Sequence, residues 1–407
     1  MDVFHDPTRQ IDYLRQSLGN DRTPLGFLLG AGCPLSVRVQ ENGEDNPIIP
    51  GIVGLTEHVC TAMRGAEEPC CTAFETLQEQ FVEDDNIDAN IEDILSRIRA
   101  LQVVAGKGTV RGLTAAELSV LDDEICKVIV LLMSKSLETS DTPYHKMASW
   151  IGSAQRILPV QLFTLNYDLL LEQALEEHRV AYFDGFIGSC KAFFDIHAIE
   201  MESLPPRWAR LWKLHGSINW RVDDKGTVFR SGSGEEGKHH VIHPSHLKYE
   251  ESRRMPYLVM IDQLRVFLRE PSAVLIVSGY SFGDEHLNEV MIQGLQGNPT
   301  AAVVALMFGP ISQYQNAIDL SSMYANLSVL SEDEAILGKK RGTWISKAKE
   351  DIIATNQIGI HWGSLAELED GTFVQPKFQL GDFSELGRLI EDVVGMESDM
   401  TKDVNAK

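Results

Sequence analysis

The chain is short of positive charge for its length: 36 Lys and Arg stand against 59 Asp and Glu in 407 residues, a formal net charge of −23 at pH 7. Binding to a phosphate backbone draws on clustered Lys and Arg that release counterions, so this balance disfavours direct nucleic-acid binding. No run of 18 or more apolar residues is present, which argues against a spanning helix. Cysteine is sparse too. The six (Cys33, Cys60, Cys70, Cys71, Cys126 and Cys190) form no C-x-x-C pair, so a zinc ribbon or dithiol redox motif lacks its ligands, and free thiols in a reducing compartment are expected. A G-x-x-x-x-G-K-[ST] loop is also missing, so an ATPase function would need another chain. The opening "MDVFHDPTRQIDYLRQSL" lacks the apolar region of a secretory signal, and the cytoplasm is the expected location.

What the chain does have is an ordinary globular composition, 43% hydrophobic and 23% charged. "GFLLG" reads as a short buried strand, preceded by "IDYLRQSL" as an amphipathic helix. "ILPVQLFTLNYD", Ile157 to Asp168, is a second strand that runs into the helical "LLLEQALEEH". "AVLIVSGYSFGDEHLNEVMIQGL", Ala273 to Leu295, repeats the pattern, and "AAVVALMF", Ala301 to Phe308, adds a strand. This alternation predicts an α/β fold with a doubly wound, parallel, Rossmann-like sheet. Ligands bind such sheets beyond the carboxyl ends of the strands.

The expected division follows from the same patterns. Residues 1–54 begin the sheet domain, and 55–150 form a helical insertion carrying "AFETLQEQFVEDD", "NIEDILSRIRALQVV" and "ELSVLDDEICKVIVLLMSKSL". Residues 151–331 complete the domain, with a loop-rich insertion at 212–257 whose "RSGSGEEGKHH" reads as a mobile loop. Residues 332–407 are an extension in which "AKEDIIATNQIGIHWGSLAELEDG" is expected to pack and "MESDMTKDVNAK" to fray.

Four short elements sit at or near predicted strand ends: "GAG" at Gly30 to Gly32, "TLNYD" at Thr164 to Asp168, "KLHGS" at Lys213 to Ser217 and "GYS" at Gly279 to Ser281. Taken singly each has a plain structural reading. The glycines suit a tight turn as well as a phosphate loop. Asn166 and Asp168 suit helix caps, and His215 suits a buried, hydrogen-bonded histidine. Gly279 and Ser281 suit a turn before a helix capped by Asp284. His239, His240, His243 and His246 suit either a metal site or a solvated, incidental cluster.

In order and spacing the four elements resemble the sirtuin family, whose pattern is Gly-Ala-Gly, Thr-x-Asn-x-Asp, His-Gly and Gly-x-Ser. The resemblance covers most of residues 25 to 310 and implies NAD as the substrate; no metal is expected, since the chain has no Cys-x-x-Cys pair. It implies that Gly30, Ala31 and Gly32 cradle the pyrophosphate through backbone N–H groups. Asn166 and Asp168 would lie by the nicotinamide ribose and carboxamide, with Asn166 orienting the ribose or a water. His215 would be the catalytic base, and Gly279 and Ser281 would contact the far phosphate or ribose. Thr164 and Ser36 complete the implied binding set, Ser36 following Cys33-Pro34 where many sirtuins place a serine soon after Gly-Ala-Gly.

Protein-deacylating sirtuins carry a zinc module built from two Cys-x-x-Cys pairs, and this chain has neither. With its helical segment and the stretches "NIEDILSRI", "HPSHLKYEESRRMPY" and "GYSFGDEHLN", it is similar instead to sirtuin-like effectors of bacterial antiphage defence. That resemblance implies an NAD hydrolase yielding nicotinamide and ADP-ribose, regulated as a homo-oligomer or by a partner such as a HerA-type hexameric ATPase. An NAD-dependent protein deacylase and a non-catalytic subunit that binds NAD or ADP-ribose are the other readings. Release of O-acyl-ADP-ribose marks the first and binding without turnover the second.

Overall fold

The structure, a computed structural model, describes residues 3–41, 43–138, 141–154, 156–189, 191–201, 204–223, 227–231, 238–241, 255–345, 358–362 and 376–404. Its centre is a ten-stranded sheet. The strand order is Phe4–His5, Lys340–Trp344, Glu334–Leu337, Leu327–Leu330, Ala302–Leu306, Val274–Ser278, Leu25–Leu29, Gln161–Thr164, Ala209–Lys213 and Tyr182–Phe183. From Leu327–Leu330 to Tyr182–Phe183 all neighbours are parallel. The strands at Glu334 and Lys340 join antiparallel. The expected doubly wound α/β sheet is therefore the observed core.

Leu25–Leu29 and Val274–Ser278 are buried along their whole length, as a parallel strand covered on both faces requires. Alternation along them splits the core in two. Phe27, Leu29, Val274 and Ile276 pack with the helices Pro7–Gly19, Pro143–Ser153, Leu170–Glu177 and Phe383–Val404. Leu28, Leu275 and Val277 pack with Tyr257–Arg269, Glu285–Gly297 and Gln315–Met323. Strand order reverses between Leu25–Leu29 and Val274–Ser278: later strands up to Ala209–Lys213 lie on one side and those from Ala302 on the other. This is the topological switch point where a doubly wound sheet opens a crevice.

The helical insertion folds as four helices, Ile52–Arg64, Cys70–Glu83, Ile91–Ala105 and Ala115–Met133, around its own core of Val59, Phe74, Leu77, Leu95, Ile98, Leu121 and Ile125. Capping boxes at Asn90 and Thr114 start two of them, each closing two otherwise unpaired backbone donors. The helix Pro143–Ser153, within the expected insertion, packs elsewhere. Its Tyr144, Met147 and Trp150 bury in the sheet core, with the Tyr144 ring 5.0 Å from that of Phe383.

The region after 331 is likewise built into the domain, through two sheet strands and the helix Phe383–Val404, whose Leu386, Leu389, Ile390 and Val393 are buried. That helix runs to Val404.

A second, antiparallel sheet joins Lys238–Val241, Gly216–Val222, Val228–Arg230, Ala192–Phe194 and Phe186–Ile187. The backbones of His239 and His240 lie on its first strand. The histidine side chains, His243, His246, Cys190, most of "RSGSGEEGKHH" and most of "AKEDIIATNQIGIHWGSLAELEDG" fall outside the described residues. Among the described residues no helix is long and apolar enough to cross a membrane, and no three His, Cys, Asp or Glu side chains are grouped to hold a metal ion.

Candidate active site at the sheet switch point

Parallel register sets Leu29 opposite both Ser278 and Thr164, so the loops that follow these strands emerge side by side. The Gly30 N–H donates to the Ser278 carbonyl and the Gly32 N–H to the Gly279 carbonyl, both at 2.9 Å. Two backbones this close leave no room for side chains: a Cβ on Gly30 would lie 2.3 Å from the Gly279 oxygen, and one on Gly32 2.8 Å from the Gly279 Cα. Gly279 itself has φ +68°, a region that glycine enters without cost. These two N–H groups therefore tie the loops together. Ala31, between them, lines the crevice, and its N–H has no backbone acceptor among the described residues.

Thr164 is a positioning residue here. Its Oγ1 donates to the Leu29 carbonyl (3.3 Å) and accepts from the Asn166 N–H (3.1 Å). The Asn166 Nδ2 in turn donates to the Gly30 carbonyl at 3.1 Å, locking the second loop to the first. Lys213, buried at the end of the next strand, donates to the Asp168 carbonyl and to Glu172 Oε1 (2.8 Å). Ile218 N–H donates to the Tyr167 carbonyl at 2.9 Å. The Asn166 to Asp168 loop is thus held from three sides.

Asp168 Oδ1 accepts from the Leu170 N–H at 3.0 Å, turning the chain into its helix. Burial raises its carboxyl to about 6, against the lowering effects of Lys213 and the Leu170 N–H. An acid whose folded value is raised adds stability that is complete below its unfolded value, near 3.8, and is lost as pH climbs through about 6. Asp168→Asn keeps the acceptor without the charge. Denaturation at pH 4 and pH 7 is expected to show the variant gaining ~1–3 kcal/mol on wild type over that interval.

His215 stands at the turn after Ala209–Lys213, where Gly216 takes φ +95°. Its Nε2 lies 3.1 Å from Asp284 Oδ2, both side chains being largely buried, and the Tyr167 ring lies 6.4 Å away. Asp284 also caps the helix Glu285–Gly297, with Oδ1 accepting from the Leu287 N–H at 3.2 Å. The loop before it is strained. Phe282 is fully buried at φ +61°, a conformation costly for a bulky residue, and Asn288 Nδ2 holds its carbonyl at 2.9 Å.

Asp284 was legible in the sequence as a cap. Its second partner, 69 residues away, was not. Asp284→Asn leaves the cap acceptor and removes the charge opposite His215. With His215 as the base that the sirtuin resemblance implies, this variant is expected to lower kcat on NAD by about 10- to 100-fold with KM little changed, and to alter the pH profile in steady-state kinetics.

One cavity of about 290 Å³ is lined by Ala31, Asn166, Asp168, His215, Gly279 and Ser281, together with Tyr167, Tyr280 and Asp284. Its other wall comes from the helical module and the segment leading into it: Ile52, Leu55, Glu92 and Met133. Gly30, Gly32, Thr164 and Ser36 do not line it. The Ser36 hydroxyl donates to the Cys33 carbonyl at 2.8 Å, closing the short turn Pro34–Ser36. Cys33 is buried with its thiol pushed up to about 12 by desolvation, its Sγ donating to the Ser278 carbonyl. That makes it an inert packing group rather than a nucleophile.

Residues 160–329 match the family model of the SIR2-like domain. The match spans the loops of Asn166, His215 and Gly279 to Asp284, and lies outside Gly30 to Gly32 and the helical module. No curated protein sequence matches the chain. Similar solved structures include a Sir2 homologue mutant bound to ADP-ribose, at 12% identity over 74% of this chain and 88% of that one, with a TM-score of 0.36. A Sir2 homologue in complex with NAD is 13% identical over 75% of this chain and 86% of that one, with a TM-score of 0.33. The domain match, and not these overall similarities, bears on the site.

Proposed function

We propose that the chain hydrolyses NAD at the nicotinamide–ribose bond, releasing nicotinamide and ADP-ribose. The observation that carries this reading is the convergence of Asn166, Asp168, His215 and Ser281, from three strand ends, on one crevice at the switch point. The residues present fit a dinucleotide: Ala31 and Gly279 line the crevice beside Asn166 and Ser281, and the glycines at Gly30, Gly32 and Gly279 let the two loops that carry them pack in direct backbone contact.

The chemistry asks little of the protein, because nicotinamide leaves as a neutral ring from a pyridinium. Asn166, fixed against Gly30, orients the attacking water at the ribose carbon. His215 takes the proton of that water as the new C–O bond forms and the C–N bond breaks, and Asp284 stabilises the resulting imidazolium. The proton then passes to solvent.

Uncontrolled NAD hydrolysis would harm its own cell, so we place this activity under control by assembly. The form proposed is a cytoplasmic, regulated effector of bacterial antiphage defence, gated as a homo-oligomer or by a HerA-type hexameric ATPase. Its support is the sirtuin-like motif set together with a helical wall in place of two Cys-x-x-Cys pairs.

The test is chromatography of nicotinamide and ADP-ribose after incubating the full chain with NAD, with and without an acetyl-lysine peptide. Equal amounts of the two products, independent of peptide, are expected. O-acetyl-ADP-ribose would replace the hydrolase with a deacylase, and calorimetric NAD binding without product would replace it with a non-catalytic binding subunit.

A further inference from the structure

The helical module does more than cover the crevice. Its helix Ile91–Ala105 begins at the cavity wall, and that start is fixed by three sets of contacts. Asn90 Oδ1 accepts from the Glu92 and Asp93 N–H groups (2.8 and 3.3 Å), Asp93 Oδ2 accepts from the Asn90 N–H (3.0 Å), and Thr56 Oγ1 accepts from the Ile91 N–H (3.0 Å). Capping is therefore complete without the Glu92 side chain. Half-buried, Glu92 lines the same cavity as Asn166 and His215.

We propose that Glu92 is a catalytic residue supplied by the inserted module, its carboxylate stabilising the positive charge that develops at the ribose carbon as nicotinamide departs. This inference rests on the NAD-hydrolase reading. Cleavage of a glycosidic bond passes through an oxocarbenium-like state, which a fixed anion within a water-poor pocket stabilises strongly. The first turn of a helix favours negative charge, so Glu92 is suited to facing a cation rather than to donating a proton. Glu92 lies close to Tyr167, which lines the same cavity: after burial, the charge of Glu92 is the next cause that pushes the Tyr167 phenol up. The atom balance is that of hydrolysis, with Glu92 neither gaining nor losing a proton.

The experiment compares Glu92→Gln and Glu92→Asp with wild type in the full chain, reading NAD turnover and, by calorimetry, ADP-ribose binding. The expected result is kcat lower by about 10²–10³-fold in Glu92→Gln, as for loss of a single transition-state contact. Glu92→Asp is expected to recover part of the activity, with ADP-ribose affinity unchanged in both. Wild-type turnover with Glu92→Gln at the same rate would overturn the role of Glu92 and leave the hydrolase standing. Loss of ADP-ribose binding in Glu92→Gln would assign Glu92 to structure and overturn it as well. Absence of nicotinamide release by wild type would overturn both.

Discussion

Replacing His215 or Asn166 with alanine is expected to lower NAD turnover by about 10²–10⁴-fold, the range that positioned acid–base help supplies. The two losses should not multiply in the double variant. Both side chains act on the same attacking water, and groups that work as a unit are non-additive. Stability should separate them. His215 is bonded through Nε2 to Asp284 at a loop, whereas the Asn166 Nδ2 bond to the Gly30 carbonyl is part of what holds two loops together. Asn166→Ala should therefore also lower the melting temperature, and Asn166→Asp, which keeps the size but offers no amide donor to Gly30, should do the same. Nicotinamide release and thermal denaturation of the four variants check this. Turnover of His215→Ala at the wild-type rate would remove the proposed base.

The second large effect is expected at Gly279. An alanine there would be forced into φ +68° with its Cβ 2.6 Å from the Cys33 nitrogen. Strain and overpacking add, and the loss should be about 3 kcal/mol or more. Gly338→Ala is the control, since Gly338 has φ +55° but no heavy atom within 4 Å of a Cβ. It carries the strain alone and should cost ~1 kcal/mol. Equilibrium denaturation of the pair measures the difference, which is the contribution of close loop packing. Equal losses would show that the approach of the two loops is not what requires glycine.

Much of the fold was legible because its signals are local. Continuous apolar runs such as "GFLL" and "AVLIV" mark strands buried on both faces, and the cap Asp284 marks a helix start. The positions where the chain passes from strand to polar loop were legible too, since a strand end needs turn residues whatever lies opposite.

Other features were not legible, because they depend on what comes to lie beside them. The helix Pro143–Ser153 carries the same apolar periodicity as the module helices, and its burial against Phe383 depends on a helix more than 200 residues later. The fate of the Gly30 and Gly32 N–H groups was hidden for the same reason, as their acceptors belong to the strand end at Ser278 and Gly279. So were the pairing of His215 with Asp284 and the arrival of Glu92 at the cavity wall.

By itself the sequence determined the residue types at each strand end and the alternation that makes a parallel sheet. Only the tertiary structure decided which of them share a site. Register along the sheet, with Leu29 level with both Thr164 and Ser278, is set by long-range packing. That packing turns separate loops into one crevice and brings the helical module to its open side.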